Sequence, residues 1–383
     1  MGALDGFTIV EIAGIGPAPF AAMMLADHGA RVIRIDRPGG PQGLRLGEPR
    51  RDILNRGRRS LALDLKSQKG RDALLRIIGK ADALIEGLRP GAMERLGLGP
   101  DVCLEANPKL VYGRMTGWGQ TGPLAMRAGH DITYAALPGA LAAIGPKDGK
   151  PSIPLNLIAD FGGGAMYLLF GLLAALLAAQ RSGEGQVVDA AMVDGVASLM
   201  SIVHGMDASG FWRPERESNL LDGGTPFYDV YECADGKWLA IGPLEPQFFA
   251  EFLRLSGLDA HPDCKNQFDM SRWPAMRRAI TQTIRTRTRD DWDRLFADTD
   301  ACVAPVLDYR EAPAHRHLKA RGVYVEKAEG GVEPAPAPRF SKTPGRIAGP
   351  PAVAGEHSAD ILAQFGFSRD EIAALLEPDR PSD

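Results

Sequence analysis

Two side chains in this 383-residue sequence stand where acid–base chemistry could be done. His130 lies in Gly129-His130-Asp131, with a flexible residue before it and a carboxylate after it that could orient the ring. An imidazole titrates near neutral pH and so can take or give a proton. Asp160 immediately precedes an apolar run, FGGGAMYLLFGLLAALLAA, at 161–179. Aspartate there reads as a helix N-cap, its carboxylate accepting from the first free amides. It reads equally as a reactive carboxyl. Phe161-Gly162-Gly163-Gly164 leaves the backbone open to a ligand. Free N–H groups at a helix start stabilise a developing oxyanion, and the helix dipole favours negative charge there.

Other motifs are less decisive. Six arginines (45, 50, 51, 56, 58 and 59) form a charge run that is either a solvated face or, with Arg37 and Arg89, a polyphosphate-binding surface. Met115, Met192 and Met200 are core residues or parts of an adaptable apolar pocket. Gly14-x-Gly16 follows a strand pattern and is followed, 20 residues on, by Asp36, which imitates a dinucleotide fingerprint. Pro19 occupies the third glycine position, however, and Pro17 and Pro19 remove amide donors that a pyrophosphate would need, so nicotinamide binding is rejected.

Composition narrows the function classes. With 44 Lys+Arg against 48 Asp+Glu the net charge is −4, which carries no nucleic-acid footprint. The four cysteines (103, 233, 264 and 302) are scattered, with no CxxC, so neither a zinc site nor a disulfide framework is expected. Asp5 and Glu11 interrupt any apolar leader, and a cytoplasmic enzyme is expected. The run at 161–179 is long enough for a membrane span but lacks flanking aromatic and basic belts, so it reads as a buried helix.

The elements that must position these groups read as α/β. A strand at 7–12, a loop at 14–17, a helix at 20–27 and a strand at 31–35 make a βαβ unit, which requires a parallel sheet. Further strands are expected at 61–65, 83–86 and 110–115, with helices at 70–81 and 92–96. The divisions expected are a large α/β domain at 1–196, an extended linker at 197–224, a smaller α+β domain at 225–320 and a return strap with C-terminal helices at 321–383. In the smaller domain, 226–233 and 237–241 read as a hairpin around Ala234-Asp235-Gly236, followed by helices at 247–255, 273–285 and 290–298 and a strand at 302–307. Residues 333–351 read as an extended strap, and Ser368 with Glu371 as a capping box.

Along the chain stand VEIAGIGPAP (10–19), VIRIDRPGG (32–40), LDLKS (63–67), EGLRPGAMERLGLGP (86–100), RMTGWGQTGP (114–123), AGHDITY (128–134), LNLIADFGGG (155–164), GQVVDAAMVDG (185–195), YECADGKW (231–238) and PAPRFSKTPG (336–345). In this order and spacing the chain resembles the α-methylacyl-CoA racemases of the family III CoA-transferase superfamily, nearly end to end. The resemblance implies a Rossmann-like large domain, a small domain and an interlocked homodimer. It implies His130 and Asp160 as the two catalytic bases, with Glu245 linked to the histidine and Asp131 orienting or polarising it. CoA contacts would fall on Arg37, Arg56, Leu63, Asp64, Leu65, Lys66, Glu86, Gly87, Leu88, Arg89, Pro90, Gly129, His130, Asp131, Ile132, Thr133 and Tyr134.

The implied reaction interconverts (2R)- and (2S)-2-methylacyl-CoA through an enolate, one base removing the α-proton and the other returning a proton on the opposite face. The backbone at Asp160 and Phe161 would supply oxyanion donors. No cofactor and no metal are expected, and neither nucleic acid nor a membrane span. Sister CoA-transferases share the aspartate as a nucleophile and typically lack the histidine, so His130 favours the racemase. A scaffold that only binds acyl-CoA, with Asp160 as a mere cap, is the non-enzymatic alternative.

Overall fold

Six short strands pair into one parallel sheet: β1 Thr8–Ile12, β2 Arg31–Asp36, β3 Arg59–Ala62, β4 Ala83–Glu86, β5 Val111–Thr116 and β6 Gln186–Ala191, in the order β3-β2-β1-β4-β5-β6. Parallel strands covered on both faces need apolar residues at nearly every position. Accordingly, β1, β4 and β5 are buried throughout. Helices Pro17–Asp27, Gln68–Ile78, Pro100–Ala106 and Met166–Ser182 lie between successive strands as crossovers. Val10, Ile33, Leu61, Leu74, Ile77, Leu84 and Tyr112 form one core cluster, joined by Ile361, Leu362 and Phe365 of the tail.

The computed structural model describes residues 1–40, 47–327 and 330–377, so Arg45 of the arginine run lies outside the described residues. The chain divides into two units, one of 1–138, 155–199 and the portion from 324, the other of 139–154 and 200–323. This grouping differs from the sequence expectation in two ways. Residues 139–154 go with the second unit, because the Arg216 guanidinium donates to the carbonyls of Ala142, Pro146 and Gly149. The stretch expected as an extended linker contains a helix, Ser201–Ala208.

In the first unit, the tail covers the sheet's β3 edge. The Ser60 amide donates to His357 Nδ1, the His357 amide donates to Ser60 O at 3.0 Å, and the Ala62 amide donates to Ser358 Oγ at 3.0 Å. Pairing these groups removes an open edge that would template association. Between Pro334 and Ser358 the chain has neither helix nor strand, as the extended strap requires. The expected capping box is present: the Glu371 amide donates to Ser368 Oγ, and the Ser368 amide to Glu371 Oε2.

In the second unit, β7 Asp229–Glu232, β8 Trp238–Ile241 and β9 Val303–Pro305 form an antiparallel sheet. Helices Pro246–Ser256, Trp273–Ile284 and Arg289–Phe296 belong to the same unit. Phe227, Phe249, Phe252, Ile280, Trp292 and Phe296 form its core.

Candidate active site

The strand order reverses between β1 and β4, and the loops beyond the carboxyl ends of such strands form the natural ligand crevice of an open parallel sheet. The chemistry-bearing residues of the first unit collect there. Gly16 ends the loop after β1 with φ +74° and lies against Asp160: a Cβ on Gly16 would stand 3.2 Å from Asp160 Oδ2. Phe20, one turn into the next helix, stacks on Phe161 with ring centroids 4.5 Å apart. The glycine loop that imitates a dinucleotide fingerprint therefore makes room for a carboxyl group.

Asp160 is not the N-cap that the sequence suggested. The apolar helix begins earlier, with a π-helical stretch, Leu157–Ala165, whose N-cap is Asn156. The Met166 amide bonds back five residues, to Phe161 O. The wider turn is held from outside: Asp131 Oδ1 accepts the amides of Ala159 at 2.9 Å and Asp160 at 2.7 Å. Helix Met192–Leu199 closes on the same stretch so tightly that a Cβ on Gly195 would fall 1.8 Å from Gly163 O. One expectation is corrected by this arrangement: the Asp160 amide already has an acceptor and is not an open oxyanion donor. Asp131 gives one of its two carboxylate oxygens to the backbone at 159–160.

His130 is the N-cap of helix Asp131–Ala136, and Thr133 Oγ1 accepts its amide at 3.1 Å. The imidazole is exposed, and its charge acts on Asp160. Asp160 itself is half-buried. Desolvation, the largest effect, raises its pKa above the usual carboxylate value; the Asn156 amide lowers it, Asp131 adds to the rise, and His130 opposes it. Burial also raises the Tyr134 hydroxyl, with Asp160 adding to that rise and Arg89 opposing it. His130, Asp131, Tyr134, Arg89 and Asp160 thus share one electrostatic neighbourhood.

Among the expected CoA contacts, Arg37 and Lys66 are exposed beyond β2 and β3, and Gly87 and Arg89 are exposed beyond β4. The strand expected at 61–65 ends at Ala62, so Asp64, Leu65 and Lys66 form a loop in which Asp64 Oδ1 accepts the Lys66 amide. Leu63 is buried in the core, and Pro90 is also buried. Ile132 and Thr133 are exposed, Gly129 is partly buried, and Tyr134 is buried with its ring edge-on to Trp118. Glu86 is fully buried. It accepts from Arg114 Nε at 2.9 Å and from the Leu88 amide at 2.7 Å, which fixes the loop but leaves no carboxylate oxygen for a ligand.

Arg56 is the clearest correction. Its side chain is 2% exposed and forms a fork on Asp27, with a third contact to Glu333. A buried guanidinium so engaged is a structural ion pair, unavailable to CoA.

A profile of CoA-transferase family III matches residues 4–358. The chain belongs to CoA-transferase family III. Among family relatives, the α-methylacyl-CoA racemase of Homo sapiens is 43% identical over 97% of this chain and 96% of its own length. The succinate–glutarate CoA-transferase of Agrobacterium fabrum is 32% identical over 94% of this chain and 95% of its own length. Among solved structures, a CAIB/BAIF family protein from Brucella suis superposes with a TM-score of 0.81 at 26% identity, covering 95% of this chain and 99% of that one.

Glu245 lies in the second unit of this family III chain. It caps helix Pro246–Ser256, and its carbonyl accepts the Phe249 amide. The Gln267 amide holds the preceding turn through Pro243 O and Leu244 O. Sequence reasoning missed two contributors in the first unit, Gly16 and Asn156. Asn156 is four residues before Asp160, a spacing that places the two on one helical face, and its Nδ2 reaches Oδ2 at 3.4 Å. Nothing local to Gly16 signals a partner 144 residues away.

Proposed function

We propose that this chain is a racemase that interconverts (2R)- and (2S)-2-methylacyl-CoA by 1,1-proton transfer, with His130 and Asp160 as the two bases. The observation that carries the reading is the half-buried Asp160 carboxyl, its pKa raised by desolvation, in the field of the exposed His130 imidazole. A two-base exchange needs one group protonated while the other is free. A carboxyl that resists ionisation beside an imidazole suits those starting states. The relatives named α-methylacyl-CoA racemase support the substrate class.

Removing the α-proton places negative charge on the thioester oxygen, which needs fixed donors. Arg37, Lys66 and Arg89, exposed beyond three successive strands, would meet the phosphates of CoA. We also propose a homodimer: Met166, Phe170, Leu173 and Leu177 form an exposed apolar stripe along one helix, which a second copy would cover.

Family membership and the relatives named CoA-transferases favour one other reading, in which Asp160 is a nucleophile. The histidine in Gly129-His130-Asp131, which sister CoA-transferases typically lack, favours the racemase over it. Incubation with 2-methylacyl-CoA in heavy water decides between the two. Deuterium at the α-carbon with inversion is the racemase result, and His130→Ala should lose the inversion while one enantiomer still exchanges with retention. A borohydride- or hydroxylamine-trapped adduct on Asp160 is the transferase result and would overturn the proposal.

A further inference from the structure

We propose that Asp131 is the positioning residue for Asp160: its carboxylate clasps the amides of Ala159 and Asp160, holds the π-helical turn open, and sets the Asp160 carboxyl against Gly16. The proposal rests on the racemase reading and assigns Asp131 to the carboxyl base, in place of the service to the imidazole that its position beside His130 suggests.

Three observations meet in this role. Asp131 Oδ1 accepts both amides, at 2.9 and 2.7 Å, across 28 and 29 residues of sequence. The residue is buried, and its second oxygen, Oδ2, has no hydrogen-bond partner among the described residues. The turn it holds departs from α-helical spacing where Asp160 projects. A carboxylate accepting two amides at once fixes a backbone more firmly than a neutral acceptor does, because charge-assisted bonds are shorter and stronger.

The groups facing Asp160 are His130, Asp131 and Tyr134 from the His130 segment and Asn156 from its own helix, while the packed loop of Gly14, Ile15, Gly16 and Pro17 carries no titratable side chain. Asp131 is thus the negative charge on this list nearest in effect to Asp160. Its removal should ease ionisation of Asp160 while leaving the His130 backbone on its bonds to the Thr133 hydroxyl.

The test uses deuterium wash-in at the α-carbon of each separate enantiomer of a 2-methylacyl-CoA, measured over short times in heavy water. The His130→Ala variant first shows which enantiomer still exchanges, and that one is served by Asp160. Asp131→Asn keeps an oxygen acceptor without the charge, and Asp131→Ala removes both. For the Asp160-served enantiomer we expect at least a tenfold change in exchange rate in Asp131→Asn, with the pH midpoint of exchange shifted downward. The His130-served enantiomer should change less than about twofold. Asp131→Ala should lose the Asp160-served exchange by about 100-fold. A deficit confined to the His130-served enantiomer, an equal loss on both, or unchanged rates and pH midpoint would each overturn the role. If the unaltered protein exchanges neither enantiomer, the racemase reading itself falls, and that result is distinct from a wild-type rate with a symmetric variant.

Discussion

Gly16 and Asp160 are in contact across the β1 loop, close enough that a side chain on Gly16 would meet the carboxyl at 3.2 Å. Gly16 also has φ +74° and ψ −122°, a conformation that an L-residue adopts only under strain. Gly16→Ala should therefore act twice. Strain costs about 1–3 kcal/mol of stability, and displacement of the carboxyl lowers turnover by about 10–100-fold, the usual penalty for a misplaced reacting group. Urea denaturation and kcat with 2-methylacyl-CoA measure the two effects separately. Unchanged kcat in a folded variant would contradict the contact's role.

Asp160 has its pKa raised in the folded chain, so its linkage to stability has a definite sign. Its contribution is fully present below the unfolded-state value, near 3.9, and is lost as pH rises through the raised folded value. Above that range the chain holds a carboxylate that burial disfavours. Asp160→Asn should then raise Tm at pH 8 more than at pH 4 while abolishing racemisation. Asn156→Ala removes the hydrogen bond that lowers the Asp160 pKa, so the pH midpoint for the Asp160-served exchange should move up. Calorimetry at the two pH values and pH–rate profiles give the readouts.

Arg56 sits inside the first unit on Asp27, with Glu333 beside it. Removing one member of such a pair strands a buried charge, which typically costs about 3–5 kcal/mol. Arg56→Ala should lose stability on that scale, and any folded fraction should retain its KM for acyl-CoA. Pairing Arg56→Met with Asp27→Leu should restore most of the loss. A raised KM without destabilisation would return Arg56 to the CoA site.

How much of this was legible depends on distance along the chain. The strand at 83–86 read directly, because both faces of a central parallel strand are buried and its first three residues, Ala83, Leu84 and Ile85, are apolar. The Ser368–Glu371 box read directly because capping is settled within four residues. His130 and Asp160 stood out by residue type and neighbours. What stayed hidden is tertiary. Asp160 read as a cap because nothing near it announces the clasp from Asp131, and without that clasp an aspartate before an apolar helix is a cap. Arg56 sat in a run of arginines that looked like one surface, yet the same run contains Arg58, fully buried on Glu11, and Arg50, exposed. Only the packing of the tail and strands separates them.

The thiols give an independent check on burial. Cys103, Cys233 and Cys264 are buried, and desolvation pushes their pKa values to about 12, 11 and 11, whereas Cys302 is exposed. A thiolate-specific reagent should modify one of the four cysteines in the native protein and all four in guanidinium. Cys302 should itself react slowly at pH 7, because desolvation and the nearby Glu245 raise its pKa. Rapid native labelling of two or more thiols would contradict the placement of the interior three.

Phe170 is 76% exposed on a 17-residue helix, and Met166, Leu173 and Leu177 flank it at spacings of three and four residues, so they share one face. Across Leu157–Ser182 the mean hydropathy reaches 1.9, which on length and composition also satisfies a membrane-spanning helix. The two destinies differ in what a charge does. If a second copy covers the stripe, Phe170→Glu with Leu177→Lys places charges in a desolvated interface, and sedimentation should shift from about twice the 41.1 kDa chain mass toward the monomer. Wild-type protein sedimenting as a monomer in buffer, or partitioning into vesicles until the same two substitutions release it, would exclude the dimer and leave the stripe to a lipid surface.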